Sequence, residues 1–240
     1  MSMQGVLACA QYAFPPNNLQ YCGPLKAATM HDYLSVDHAE PELRDILEQF
    51  ETLYPYLACI AEANNIPDPF DIRVIEAYWI GNDLLKNVSM KQIYSHYTER
   101  LHLPKRLKQQ ELKWLFGKIQ KGAQAHHTYH VLNVFTRTGH HTVQHTVESI
   151  DNCRIGWGKV LSSDVHAVIV EYQPIVYTDG VLSLSAPIVR QIYQPFDRTL
   201  KKDYWVSFHW GVLCGVLNKR QLKELAYYTN HALTLANTTL

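Results

Sequence analysis

The sequence lacks the features that mark membrane, secreted and nucleic-acid-binding proteins. No stretch reaches the roughly 18 uncharged apolar residues of a membrane-spanning helix. The start, "MSMQGVLACAQYAF", lacks the cationic segment and the long apolar core of a signal peptide. Lysine plus arginine equals aspartate plus glutamate at 22 each, so no overall field attracts a polyanion or a membrane surface. These absences predict a cytoplasmic protein that binds neither nucleic acid nor membrane.

The sequence also lacks a disulfide framework. It contains no CxxC pair, and its 5 cysteines are odd in number and widely scattered, which is typical of reduced cytosolic thiols. The chain has 240 residues, of which 47% are hydrophobic. It can therefore bury a large core that needs no stabilisation by a disulfide or a metal ion. The cysteines are Cys9, Cys22, Cys59, Cys153 and Cys214.

The first half of the chain has helical periodicity. In "EPELRDILEQFETLYPYLACIAEANN" apolar residues recur at three- and four-residue steps, which predicts one amphipathic helix bent at Pro55. "DPFDIRVIEAYWIGNDLL" predicts a further helix capped by Asp68 or Asp71. A short helix is expected after Pro24, and "LPKRLKQQELKWLFGKIQKG" predicts another helix that stops at Gly122.

From about His126 to Tyr193 the pattern changes to period two, with many β-branched and aromatic residues. "HTYHVLNVFT", "CRIGWGKVL" and "HAVIVEYQPIVYTDGVLSLS" predict an antiparallel meander, with an Asp-Gly hairpin turn in "YTDGVL". The closing stretch "DYWVSFHWGVLCGVLNKRQLKELAYYTNHALTLANTTL" predicts a C-terminal helix packed on the sheet, from the apolar spacing between Leu222 and Leu235. The fold class is therefore α+β, with a mainly helical region at 1–122 and the meander with its C-terminal helix at 123–240.

Cys22 is the first candidate for chemistry, in "NNLQYCGPLKAATM". If this cysteine opens the helix that follows, the helix N-terminus favours its thiolate, which can attack a carbonyl. Alternatively, Cys22 is a small buried residue beside a Gly-Pro turn. A third hypothesis is that the N-terminus of the helix after Gly23 binds a small anion without any covalent step.

The second candidate is a concentration of histidines. On a strand, His126 and His130 would share one face while His127 points to the other. His126 and His130, joined by His140, His141 or His145 or by Cys22, predict a transition-metal site. The alternative is that these histidines are surface or capping residues around a hairpin. The cluster contains His126, His127, His130, His140, His141 and His145.

A third group of residues lies in "NCRIGWGKV" and "VSFHWGVLC". Arg154 and Trp157 stand beside glycines that allow a ligand to approach the backbone, and His209 and Trp210 place polar nitrogens in an apolar run. These four residues and Gly23 are predicted to bind a ligand. The competing interpretation is that they are core groups with satisfied hydrogen bonds.

Two stretches resemble the papain-like cysteine peptidases, especially the bacteriocin-processing group. They are "YCGPLKAATMHDYL" and "HVLNVF". The resemblance implies Cys22 as nucleophile, His130 as general base, and Asp151 or Asn152 as the residue that orients the imidazole. Pro16 stands where that group carries the glutamine of its oxyanion hole.

A broader set of blocks spans nearly the whole chain. "YAFPPNNLQYCGP", "PDPFDIRVIEAYWIGNDLL", "CRIGWGKV" and "VSFHWGVLCGVL" are similar to an uncharacterised bacterial family whose genes can lie beside NiFe-hydrogenase genes. The resemblance implies an accessory or assembly protein for a metalloenzyme, which binds a partner subunit or a metal-containing intermediate. Cys22 with His126, His130 or His209 would hold that metal. The alternative is a cysteine-dependent amide or acyl hydrolase or transferase.

Overall fold

A helical N-terminal part is followed by a small β-barrel and a long C-terminal helix. The computed structural model describes residues 3–134, 138–196 and 200–240. Its α-helices are α1 (Gln4–Asn18), α2 (Ala27–Ser35), α3 (Pro41–Glu48), α4 (Leu53–Ala63), α5 (Ile72–Trp79), α6 (Met90–Ser95), α7 (Gln109–Ile119), α8 (His127–Asn133), α9 (Val147–Cys153) and α10 (Lys219–Ala236). Its strands are β1 (Gly156–Ser163), β2 (Ala167–Tyr172), β3 (Ile175–Thr178), β4 (Val181–Leu184), β5 (Ile188–Tyr193), β6 (Trp205–His209) and β7 (Val212–Leu217). The α+β prediction is confirmed.

Helix α1 packs closely on the segment that leads into α5. At Gly5 a Cβ atom would lie 1.8 Å from the carbonyl oxygen of Phe70, so only glycine allows this approach. Pro15 and Pro16 lie in the last turn of α1, and the helix ends where Gln20 adopts a left-handed conformation with φ of 59°.

The expected single helix bent at Pro55 is wrong. Helix α3 ends at Glu48 and α4 begins at Leu53, so Pro55 lies in the first turn of a new helix, where no intrahelical N–H is needed. The expected cap of α5 is confirmed for Asp71, whose carboxylate accepts the N–H of Arg73 at 2.9 Å.

The predicted strand at His126–Thr136 is wrong over the residues that the structure describes there. His127–Asn133 form helix α8, and the first strand begins only at Gly156. All seven residues of α8 are buried, so the segment has no polar face that would reveal a helical period. The β region therefore begins at Gly156 and not at about His126, and its strands close into a barrel with one parallel pair in place of the predicted antiparallel meander.

The strands form a closed barrel in the order β1-β2-β5-β7-β6. Neighbours are antiparallel except β5 and β7, which are parallel and meet at Tyr193 and Val212. Alternate residues such as Val168 and Val170 point into the barrel core. Strands β3 and β4 form a separate hairpin, and Asp179 and Gly180 at its turn have positive φ angles of 51° and 81°, which confirms the Asp-Gly turn.

Helices α1 and α10 join the helical part to the barrel. Helix α10 packs on α8 and also contacts β4 and β7, while α1 contacts β6 and β7. The main hydrophobic core includes residues from before and after position 122, and the division at that position stays a prediction. No helix among the described ranges is long and apolar enough to cross a membrane.

Candidate metal centre

Three buried side chains meet where α8, α9 and β6 converge. His127 is the first residue of α8, Cys153 is the last residue of α9, and His209 is the last residue of β6. One ligand atom from each lies within 4.8 Å of the others. Their exposed fractions are 8%, 5% and 1%, so water competes little for this site. Two imidazoles and one thiol are a donor set that transition metals bind.

The hydrogen bonds of His127 fix which nitrogen carries its proton. Its Nε2 lies 2.8 Å from the carbonyl oxygen of Cys153, which can only accept, so Nε2–H is the donor. The lone pair is therefore on Nδ1, which accepts from the hydroxyl of Tyr78 at 3.2 Å. Cys153 thus contributes its thiol to the cluster and its carbonyl group to the orientation of His127.

His209 is oriented in the same way by a different helix. Its Nδ1 donates to the carbonyl oxygen of Tyr12, in α1, at 2.8 Å, and the lone pair is therefore on Nε2. Histidines that bind metals nearly always donate their other ring N–H to a carbonyl, carboxylate or water. Both imidazoles of the cluster meet this condition.

Burial keeps His127 neutral. It lowers the pKa of His127 well below its ordinary value, and the nearby His209 lowers it further. A neutral imidazole is the form that binds a metal ion. The ring of Trp79 covers the cluster, with its centroid 4.6 Å from that of His127 and 5.8 Å from that of His209.

A cavity of about 40 Å³ adjoins the cluster. This volume is enough for one to three water molecules or one small ligand. Its walls are apolar where they are formed by Phe50, Leu53, Trp79 and Val131. Its lining also carries six side chains with ligand atoms, and these are Cys22, His127, His130, His145, Cys153 and His209.

Cys22 lies in the loop between α1 and α2. The hypothesis that it lies at the N-terminus of a helix is wrong. Helix α2 begins only at Ala27, and Cys22 itself lies in a bend of the chain. The side-chain amide of Asn17 holds this loop by donating to the carbonyl oxygens of Cys22 at 2.9 Å and Pro24 at 2.6 Å. The thiol is partly exposed and lines the cavity.

His130 lies one turn after His127 on α8 and lines the same cavity. Its Nδ1 is 3.1 Å from the hydroxyl of the buried Tyr56. The carboxylate of Asp151, expected to orient this imidazole, instead accepts from Nε of Arg154 at 2.9 Å and from the N–H of Ile175 at 2.9 Å. The side chain of Asn152 accepts from Arg190 at 2.7 Å.

The other predicted ligand residues lie outside the cavity. His126 stacks on Tyr228 with a centroid distance of 5.3 Å. The guanidinium of Arg154 lies 5.1 Å from the ring centroid of Trp157. Trp210 has a positive φ of 50° in the turn between β6 and β7. Of the predicted site residues, the cavity brings together Cys22, His130 and His209, and it does not include Gly23, His126, Asp151, Arg154, Trp157 or Trp210.

Sequence reasoning missed His127 and Cys153 as partners. The strand assignment placed His127 on the face opposite to His130, whereas on a helix residues three apart share a face. Helical spacing of His127 and His130 is the one signal that was available. Cys153 belongs to no spacing motif, since its partners come from distant elements.

The chain was compared with protein families, curated proteins and solved structures. No curated protein and no solved structure matches it. The match to one family covers residues 1–240. The chain therefore belongs to the family of unknown function DUF6390.

Proposed function

We propose that this protein binds one transition-metal ion through Nδ1 of His127, Sγ of Cys153 and Nε2 of His209. The observation that carries the proposal is the paired orientation of the two imidazoles. Each imidazole donates one ring N–H to a backbone carbonyl at 2.8 Å. The lone pair is therefore on the second ring nitrogen, beside a buried thiol, where it can bind a metal ion. Sulfur and imidazole donors favour zinc, copper, nickel or cobalt over magnesium or calcium.

The spacing of the ligand atoms suits such an ion after a small contraction. Tetrahedral sulfur and nitrogen ligands of zinc lie about 3.5 Å apart, given metal–ligand distances of about 2.0–2.3 Å. The ligand atoms of the cluster lie within 4.8 Å of one another, so they need to approach by about 1.3 Å at most. Binding also requires the Tyr78 hydroxyl to leave Nδ1 of His127.

Three protein ligands leave a fourth coordination position for the cavity. Structural zinc sites are usually closed by four protein ligands, whereas reactive sites keep one position for water or substrate. An open position also lets a donor or acceptor protein supply a ligand during transfer. This arrangement supports an accessory role in which the protein carries a metal ion or a metal-containing intermediate to a metalloenzyme, and a NiFe hydrogenase is the partner that the sequence resemblance suggests.

Cobalt(II) titration of the reduced, metal-free protein tests the proposal. We expect one equivalent to bind and to give a thiolate-to-cobalt charge-transfer band in the near ultraviolet. Cys153→Ser should remove the band, and His209→Ala should weaken binding strongly. Cys59→Ser is the matched control, because this buried thiol does not line the cavity. Absence of binding by the wild-type protein, or a band unchanged in Cys153→Ser, would refute the metal site.

A cysteine hydrolase or transferase is the second candidate, and one observation favours it. Cys22 and His130, which are 108 positions apart in the chain, line the same cavity. Cys22 would attack a carbonyl carbon and His130 would accept its proton. The test is the pH dependence of Cys22 alkylation in metal-free protein. Rapid alkylation that persists below about pH 6.5 and is lost in His130→Ala would support this candidate, whereas reaction at the rate of an ordinary thiol would remove it.

A further inference from the structure

We propose that the metal ion reaches the buried ligands through the cavity, and that Cys22 and His145 bind it first at the cavity mouth. This inference rests on the proposed metal site and adds the route by which the site is filled. His130, which lines the same cavity, provides a further ligand along this route. The ion is the same thiophilic transition metal, entering from solvent or from a donor protein.

The ligand-bearing side chains of the cavity fall into an accessible pair and a buried group. His145 is exposed and Cys22 is partly exposed. The other four are buried, with exposed fractions of 8% for His127, 5% for His130, 5% for Cys153 and 1% for His209. All six line the same cavity, so sulfur and nitrogen donors are present both at its accessible side and at the buried cluster.

The size of the cavity makes such donors necessary. A hydrated divalent ion carries about six waters, whereas the cavity of about 40 Å³ has room for about three at roughly 10–15 Å³ each. The ion must therefore lose about half of its water before it enters. The walls at Phe50, Leu53 and Val131 cannot replace that hydration, and an uncompensated charge there would cost many kcal/mol. Thiolate and imidazole ligands replace the water molecules one at a time.

Close packing of two loops brings the mouth residues together. The segment that contains His145 lies against the loop of Cys22, because the N–H of His141 donates to the carbonyl oxygen of Gln20 at 3.0 Å. At Gly139 a Cβ atom would be 2.2 Å from the carbonyl carbon of Tyr21. These contacts place an imidazole and a thiol on the same opening.

The route predicts slow loading without loss of affinity. In stopped-flow mixing of reduced, metal-free protein with Co²⁺, Cys22→Ser and His145→Ala should each load about tenfold more slowly than wild type. Release to an excess of chelator should slow by the same factor, since it follows the same path. The dissociation constant should stay within about twofold, because the resident ligands are unchanged. Cys59→Ser and His140→Ala are matched controls and should load at the wild-type rate.

Each outcome of this experiment decides between the two proposals. Wild-type loading rates in both mouth variants would overturn the route while the metal site stands. Loss of equilibrium binding in Cys22→Ser would also overturn it, because Cys22 would then be a resident ligand. Failure of the wild-type protein to bind Co²⁺ would refute the metal site itself, and the route with it.

Discussion

His96 makes this protein sensitive to acid in a way that can be calculated from its surroundings. The side chain is 1% exposed, its ring lies 4.1 Å from that of Tyr56, and neither ring nitrogen has a hydrogen-bond partner among the described residues. Burial, followed by the charges of Arg100 and His130, lowers the pKa of His96 from 6.5 to about 3. The folded protein therefore holds this histidine neutral.

The sign and size of the effect follow from proton linkage. Between pH 6.5 and about 3 the unfolded chain binds a proton at His96 that the folded chain does not bind, so the free energy of unfolding falls as the pH falls. Above pH 6.5 the two states bind equally and nothing is lost. The slope is about 1.4 kcal/mol per pH unit, so the loss is about 3 kcal/mol at pH 4.5.

His96→Phe keeps a ring in contact with Tyr56 but removes the titrating group. Urea unfolding of metal-free protein at pH 7.5 and pH 4.5 gives the free energy of unfolding of each variant at both values. We expect the decrease between the two pH values to be about 3 kcal/mol smaller in His96→Phe than in wild type. The exposed His38→Phe is the matched control and should keep the wild-type decrease. Equal decreases in wild type and His96→Phe would refute the reasoning.

Three further predictions concern the site and its support. Gly23→Ala should lower the free energy of unfolding by about 1–3 kcal/mol in urea titration, since φ is 78° there and a Cβ would overlap a ring. Tyr78→Phe should lower the dissociation constant for Co²⁺, because the hydrogen bond from the Tyr78 hydroxyl to Nδ1 of His127 no longer has to break before the metal binds. Weaker binding would contradict this. Asp151→Asn should cost about 3–5 kcal/mol by leaving Arg154 buried without its counter-charge, while Co²⁺ affinity stays at the wild-type value.

The parts of the fold with a polar face were predictable from the sequence. Helix α10 and the α5 cap at Asp71 follow from apolar periodicity and capping chemistry, and the Asp-Gly turn follows from its need for positive φ. Helix α8 was not predictable in this way, because burial of every residue removes the contrast on which periodicity depends. The break before Leu53 also left no clear signal in the apolar pattern.

The site was predictable only in part. Residue type, local pattern and family resemblance point to Cys22, His130 and His209, and the fold places all three on one cavity. The tertiary structure alone brings Cys153 to His127, since packing of α8 against α9 determines that contact. Residue chemistry can propose such donors, but their convergence depends on how the elements pack.

The central claim is that one ion is held by two imidazoles and the thiolate of Cys153. X-ray absorption at the zinc edge of the reduced protein loaded with one equivalent of zinc tests it most directly. The account predicts one sulfur at about 2.3 Å and two or three nitrogen or oxygen ligands at about 2.0–2.1 Å, with the sulfur lost in Cys153→Ser. A shell with no sulfur, or one in which the sulfur persists in Cys153→Ser, would contradict it.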